Sequence, residues 1–201
     1  MYRRYIKRMA DVLPCVLGLA VCAVPMAVIA AVIRLDSKGP ALFRQERLGK
    51  DERPFVIYKF RTMCDRAYEM GGIASRSDDP RITRAGAFLR RSSLDELPQM
   101  FNILKGDMSI IGPRPILPWE FDGYRDNPRY RRRHDIAPGL FCTVDVSLRA
   151  AATRQEQFEM DAEYADSVSF SLDARTFFGV LGTVLSGRNV YREEADDRNR
   201  R

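Results

Sequence analysis

The sequence predicts an α+β chain: one apolar N-terminal helix that meets a membrane, then a compact, mainly helical domain carrying a β-hairpin. Three observations predict it. The run Val12–Ile33 holds no charged residue, within a 201-residue chain of net charge +6. Two strand-like runs, Ala41–Leu48 and Pro54–Arg61, flank the turn residues Gly49-Lys50-Asp51-Glu52. Most later segments carry apolar residues at helical spacing, cut by glycine and proline.

The apolar run is about 22 residues long, and at ~1.5 Å per residue a straight helix would just cross the hydrocarbon core. A basic start, Arg3, Arg4, Lys7 and Arg8, precedes it. A signal peptide would share that start, but the run is long for one and no small-residue cleavage site ends it. Pro25 sits mid-run, where it removes a helical hydrogen bond and predicts a kink. Basic residues follow the run as well as precede it (Arg34, Lys38, Arg44, Arg47, Lys50), whereas a spanning helix carries its excess on the cytoplasmic side only. A single span and a re-entrant hairpin broken at Pro25 both stay open on these residues.

Roughly 165 residues follow, enough to bury a core without disulfides or metals. The four cysteines lack metal-ligand spacing and read as reduced thiols. Helix is expected over 62–76, breaking at Gly71-Gly72; Asp78-Asp79-Pro80-Arg81 is a turn. Further helices are expected at Ala85–Arg91, Glu96–Lys105 (closed by Gly106) and Glu156–Tyr164. The prolines between Ile110 and Pro118 forbid helix there. A last helix places Phe170, Ala174, Phe177, Phe178, Leu181, Val184 and Leu185 on one face, which packs on the core or lies on a bilayer surface. The organisation is therefore a membrane element (1–36), a domain (37–187) and a charged tail (188–201) read as disordered.

The chemistry concentrates in 92–115. Asp95-Glu96 heads a helix, and Arg114 stands between Pro113 and Pro115. Adjacent carboxylates hold a metal or attack phosphorus, and guanidinium groups neutralise phosphate oxygens. The bland alternative for the acid pair is capping: a Ser93/Glu96 capping box, or Asp95 as N-cap with Pro98 in the first turn. Either would put a carboxylate at the positive end of a helix, favouring its ionised form. Arg114 loses little entropy on binding phosphate because two prolines restrict it; its bland alternative is a structural ion pair. Arg81, Arg90 and Arg91 lie near the acid pair in the chain. The lone histidine, His134, excludes a multi-histidine metal site, and its arginine run 131–133 reads as solvated or lipid-facing. No Walker loop, GxGxxG, HExxH or CxxC occurs.

Four ordered motifs, Phe43-Arg44-Gln45-Glu46-Arg47-Leu48-Gly49, Tyr58-Lys59-Phe60-Arg61-Thr62-Met63, Ser93–Gln99 and Asn102–Pro115, make the chain resemble the bacterial sugar transferase family. Its small members are the monotopic phosphoglycosyl transferases of the PglC type. The resemblance implies transfer of a sugar-1-phosphate from a UDP-sugar to undecaprenyl phosphate at the cytoplasmic face of a bacterial inner membrane, beginning a surface glycan. It implies Asp95 as nucleophile and Glu96 as Mg²⁺ ligand or proton-transfer partner, with Mg²⁺ as cofactor. Arg90 and Arg114 would hold phosphate oxygens, with Lys59, Arg61 and Arg149 as further substrate ligands. It also favours the re-entrant course at Pro25, interfacial amphipathic helices, contact with anionic lipids, and downstream glycosyltransferases as partners.

The chain departs from the family pattern after Pro138-Gly139. Members there commonly read Thr-Gly-Leu-x-Gln-Val-x-Gly-Arg, where this chain has Phe141–Arg149 and keeps only the valine and the arginine. Two rivals from other classes are a non-catalytic membrane scaffold, which needs no acid pair, and a nucleic-acid binder, against which the missing aromatic-basic platform counts.

Overall fold

The computed structural model describes residues 2–71, 79–147 and 152–185. After a π-helical turn at Tyr2–Ile6, helix α1 runs unbroken from Lys7 to Asp36 with Pro14 and Pro25 inside it. Strands β1 (Leu42–Leu48) and β2 (Pro54–Phe60) form the expected antiparallel hairpin, Leu42 opposite Phe60 and Leu48 opposite Pro54. Its turn holds Asp51 and Glu52 at positive φ.

The helix expected from Thr62 begins only at Ala67 (α2, Ala67–Gly71), and 72–78 lie outside the described residues. Thr62–Cys64 are instead tied to 81–83 by backbone hydrogen bonds, Cys64 N–H to Arg81 O at 2.8 Å and Thr83 N–H to Thr62 O at 3.1 Å. Local helix propensity yields here to a tertiary pairing that satisfies the backbone. Asp79 begins the expected turn, accepting from Ile82 N–H.

Helix α3 (Arg84–Ser92) starts at Thr83, whose hydroxyl accepts from Gly86 N–H. Gly86 is required: a Cβ there would lie 1.9 Å from Thr62 O. A 3-10 turn (Leu94–Glu96) then leads into α4 (Gln99–Lys105), ended by Gly106 at φ 94°. Strand β3 (Ser109–Ile111) pairs in parallel with β4 (Gly139–Phe141). Between them lie 3-10 turns and α5 (Pro128–Arg131); α6 (Thr143–Ser147), α7 (Arg154–Ser167) and α8 (Phe170–Leu185) follow. Thr153 and Glu156 form a capping box that starts α7.

The core sits where α1 lies along the domain. Cys15, with Leu19, Cys22 and Met26 beside it, packs on Ile57, Met100, Ile103 and Met108; Ile29, Ala30 and Ile33 pack with Phe60 and Leu89. Three- and four-residue steps put these positions on one stripe, while Leu13, Leu17, Val21, Val24, Val28, Val32 and Leu35 stay exposed on the other. Both ends of α1 are tied down. Arg8 donates to the carbonyls of Ile103 and Leu104 at 2.5 and 2.9 Å, and Arg3 to that of Asp135 at 3.0 Å. Lys7 is buried against Asp173 at 2.6 Å. At the far end Arg61 caps the helix and Asp36 accepts from Ala85 N–H.

Helix α8 bears on the two fates expected for its apolar face. Its buried positions are Asp173, Thr176 and Val180, while Phe170 and Phe178 are about two-thirds exposed at 65% and 68%. The aromatic face points away from the core, which leaves the second of the two fates open to that helix. The arginine run is likewise not a loose patch. Arg131 pairs with Glu52, Arg132 with Asp135 and Asp166, and buried Arg133 with Asp161. His134 is buried with Nδ1 3.0 Å from Gly49 O, and burial lowers its pKa to about 4, so it is a neutral core residue.

Candidate active site

Neither capping arrangement for the acid pair exists. Ser93 is left-handed at φ 56° and makes no side-chain cap, and the residue heading α4 is Pro98. The 3-10 turn therefore leaves both carboxylates available for other contacts. Helix α4 presents that turn to the hairpin because Asn102 is fully buried and mimics a strand, accepting from Tyr58 N–H at 3.0 Å and donating to Val56 O at 2.7 Å. Sequence reading quoted Asn102 only as part of a motif. Its signal was a polar residue amid Met100, Phe101, Ile103 and Leu104.

Docked this way, Glu96 Oε1 meets Lys59 Nζ from β2 at 2.7 Å. Asp95 beside it takes no ion pair and no hydrogen bond from another side chain among the described residues. Burial first, and then the charge of Glu96, push its pKa up to about 6; Lys59 and Arg90 act in the opposite sense. This corrects the expectation of a helix end favouring the ionised form: no regular helix starts at Asp95, so desolvation dominates. Arg90 is held from α3 by Nε donating to Thr62 Oγ1 at 2.9 Å.

Arg114 lies on the loop after β3. Its backbone is clamped at both faces: its N–H donates to Asp161 Oδ1 at 3.4 Å, and its carbonyl accepts from Arg133 Nη2 at 2.6 Å. Arg133 and Asp161 are themselves a buried pair at 2.7 Å. Gly139 allows the loop to close, since a Cβ there would lie 2.1 Å from Gly112 N. The guanidinium is half exposed, feels the charge of Glu96, and pairs with Asp145 at 3.1 Å. The ion-pair reading of Arg114 is met by Asp145, while half of the side chain stays exposed.

Arg47 of β1, unassigned by sequence reading, supports the same loop by donating to Pro115 O at 3.2 Å and lies within electrostatic reach of Glu96. The structure does not bring Arg61 to the acids. Its guanidinium is buried and bonded to the carbonyls of Lys38 and Ser37 and to Ser37 Oγ at 2.5, 2.8 and 3.0 Å, closing the C-terminus of α1. A fork of donors next to orphan helix carbonyls is better satisfied there than at an open site. Arg81 is likewise held by Asp79 at 2.6 Å. Arg149 lies outside the described residues.

The structure is a small α+β domain with a long apolar helix along its flank and an acid pair within the electrostatic influence of Lys59, Arg90 and Arg114. The bacterial sugar transferase model matches residues 2–187, and the chain belongs to that family. The chain is 39% identical over 187 residues to the UDP-N-acetylgalactosamine-undecaprenyl-phosphate N-acetylgalactosaminephosphotransferase of Aeromonas hydrophila, covering 91% of this chain but 44% of that protein. It is 37% identical to the uncharacterized sugar transferase EpsL of Bacillus subtilis, covering 92% and 90%. It is 36% identical to the UDP-glucose:undecaprenyl-phosphate glucose-1-phosphate transferase of Caulobacter vibrioides, covering 92% and 72%. The chain thus spans less than half of the Aeromonas protein and nearly all of the Bacillus one.

Proposed function

We propose that this chain is a monotopic phosphoglycosyl transferase that moves a sugar-1-phosphate from a UDP-sugar to undecaprenyl phosphate and releases UMP. The observation that carries the reading is Asp95: a carboxylate on a 3-10 turn, without an ion pair among the described residues, beside a Lys59-held Glu96 and within the field of Arg90. In the first step an Asp95 oxygen bonds to the β-phosphorus of the donor. The bond from that phosphorus to the bridging oxygen breaks, and UMP leaves with the electron pair. In the second step an oxygen of undecaprenyl phosphate attacks the same phosphorus and returns the carboxylate. One site thus serves a soluble donor and a lipid acceptor in turn. A carboxylate approaching a pyrophosphate meets charge repulsion, which Arg90 and Arg114 are placed to offset.

Among the described residues no three His, Cys, Asp or Glu side chains converge. Adjacent Asp95 and Glu96 fit a cation that is held by one or two carboxylates and keeps its remaining positions for water and substrate phosphate, as Mg²⁺ does. Bound there, Mg²⁺ would supply further neutralisation of phosphate charge.

The membrane course follows from α1. It is the one described helix long and apolar enough to cross a bilayer. Yet one stripe of it packs on the domain over most of its length, and both its ends are bonded to that domain. A spanning helix gives about 30 Å of its length to hydrocarbon, whereas α1 gives one face to the domain over most of its length. An entry and exit on the same face keeps the ties at both ends, with Pro25, inside the continuous helix, as the site of any bend. The exposed aromatic face of α8 suits the same surface, and the catalytic domain would then face the cytoplasm.

The relatives are named for different sugars at similar identity, so the donor is a matter for measurement. The test is UMP release from a panel of UDP-sugars in nanodiscs with Mg²⁺ and undecaprenyl phosphate, with mass spectrometry for a sugar-phosphate adduct on Asp95. Release with one donor, abolished by EDTA and by Asp95→Asn, is the expected result. Silence across the panel from folded protein would favour the scaffold.

A further inference from the structure

Arg114 is the most constrained cation of the site. Two prolines flank it, and the buried Arg133–Asp161 pair holds both its N–H and its carbonyl. The guanidinium nevertheless extends outward, 53% exposed, and the carboxylate it meets is Asp145, only 15% exposed. Asp145 is no wandering surface acid. Its Oδ2 accepts from Cys142 N–H at 3.1 Å and lies 2.9 Å from Cys142 Sγ, while Oδ1 lies against Arg114. Both residues sit in the stretch where this chain leaves the family pattern, and neither backbone anchor depends on a ligand.

An incoming phosphate therefore meets a guanidinium whose charge is already compensated. A phosphate alone gains little there and suffers repulsion from the fixed carboxylate. A ligand that carries hydroxyl donors beside its phosphate uses both halves: the guanidinium fork takes phosphate oxygens, and the acceptor-only carboxylate takes O–H groups. Resting on the function proposed above, we infer that Asp145 is a specificity-determining residue, accepting a hydrogen bond from a sugar hydroxyl next to the phosphate that Arg114 holds. That hydroxyl belongs to the ribose of the nucleotide or to the transferred sugar.

The test is equilibrium binding to the full chain in nanodiscs, comparing wild type with Asp145→Asn. The probes are pyrophosphate, UMP, 2′-deoxy-UMP and the UDP-sugar panel. Asp145→Asn should bind pyrophosphate roughly tenfold more tightly, because Arg114 loses its counter-ion. It should also lose roughly tenfold of a selectivity ratio. Loss of the UMP over 2′-deoxy-UMP ratio assigns the ribose; loss of the preference among UDP-sugars assigns the transferred sugar. A uniform gain for every ligand, with all ratios unchanged, reduces Asp145 to a counter-ion and overturns the inference, as do unchanged affinities. Asp145→Ser, which can still accept from Cys142 N–H, replaces the amide variant if the latter fails to fold. Wild-type protein that binds none of these probes would instead overturn the proposed function itself.

Discussion

Two lysine–carboxylate pairs in this molecule look alike and behave differently. Lys7 and Asp173 meet at 2.6 Å, and Lys59 and Glu96 at 2.7 Å. Around the first pair every valence is used: Lys7 also donates to Ile111 O and Tyr164 OH, and Asp173 also accepts from Tyr2 and Tyr164 at 2.6 and 2.5 Å. Around the second, the neighbouring Asp95 has no ion-pair partner among the described residues, and burial raises its pKa. A saturated buried cluster rigidifies; an unsaturated one holds chemical potential. The first cluster joins α1, β3, α7 and α8, and the second adjoins the proposed nucleophile, so the contrast separates what holds the fold from what is proposed to react.

The largest expected effect breaks the second cluster. Asp95→Asn should lower UMP release by about a thousandfold or more and remove the covalent adduct. The same substitution should stabilise the protein at pH 7.5. With a folded pKa near 6 against 3.8, this carboxyl binds its proton more tightly when folded. Its contribution to stability is therefore present below pH 4 and lost as pH rises through 6, and the amide escapes that loss. Thermal unfolding at pH 7.5 should give a higher Tm for Asp95→Asn, with the gap closing toward pH 4; a lower Tm would remove Asp95 from the unsatisfied class.

The next effect breaks the first cluster. Asp173→Asn leaves buried Lys7 without its counter-ion and should cost about 3–5 kcal/mol of stability, read by denaturant unfolding in detergent. Lys59→Met should cost no more than about 1 kcal/mol while slowing UMP release. Equal stability losses from the two would erase the contrast between the pairs.

A smaller effect tests where Arg61 belongs. Arg61→Met removes donors from the end of α1 and should destabilise by about 1–3 kcal/mol, leaving KM for the donor unchanged in the protein that remains folded. A raised KM at unchanged stability would return Arg61 to the substrate.

The smallest effect sharpens the site's electrostatics. In the metal-free protein Asp95 should take its proton as pH drops through about 6, read by infrared or NMR titration, and Mg²⁺ held by the acid pair should move that midpoint down. Glu96→Gln should move that midpoint down, because a like charge is removed, and Lys59→Met should move it up. Midpoints that stay fixed in both variants would assign the titration to another group.

The hairpin was legible in the chain because its signals are local: β-rich runs around turn chemistry, found with ends one residue from expectation. Helices α3 and α7 and the Gly106 terminus were legible for the same reason, since caps act within a few residues. Asp95, Glu96 and Arg114 stood out in the chain by residue type and spacing, while the charge state of Asp95 depends on its surroundings. Four things were not. The absence of capping at Asp95 depends on a left-handed Ser93, the role of Arg61 on where α1 ends, and the buried stripe of α8 on Lys7, 166 residues away. The Arg114–Asp145 pair depends on a loop closing over Gly139. Chain order alone determines periodicity, turns and the supply of charged groups. Which charges are satisfied and which are left to react depends on contacts between distant segments, because an ion's desolvation and its partners exist only once the chain has packed.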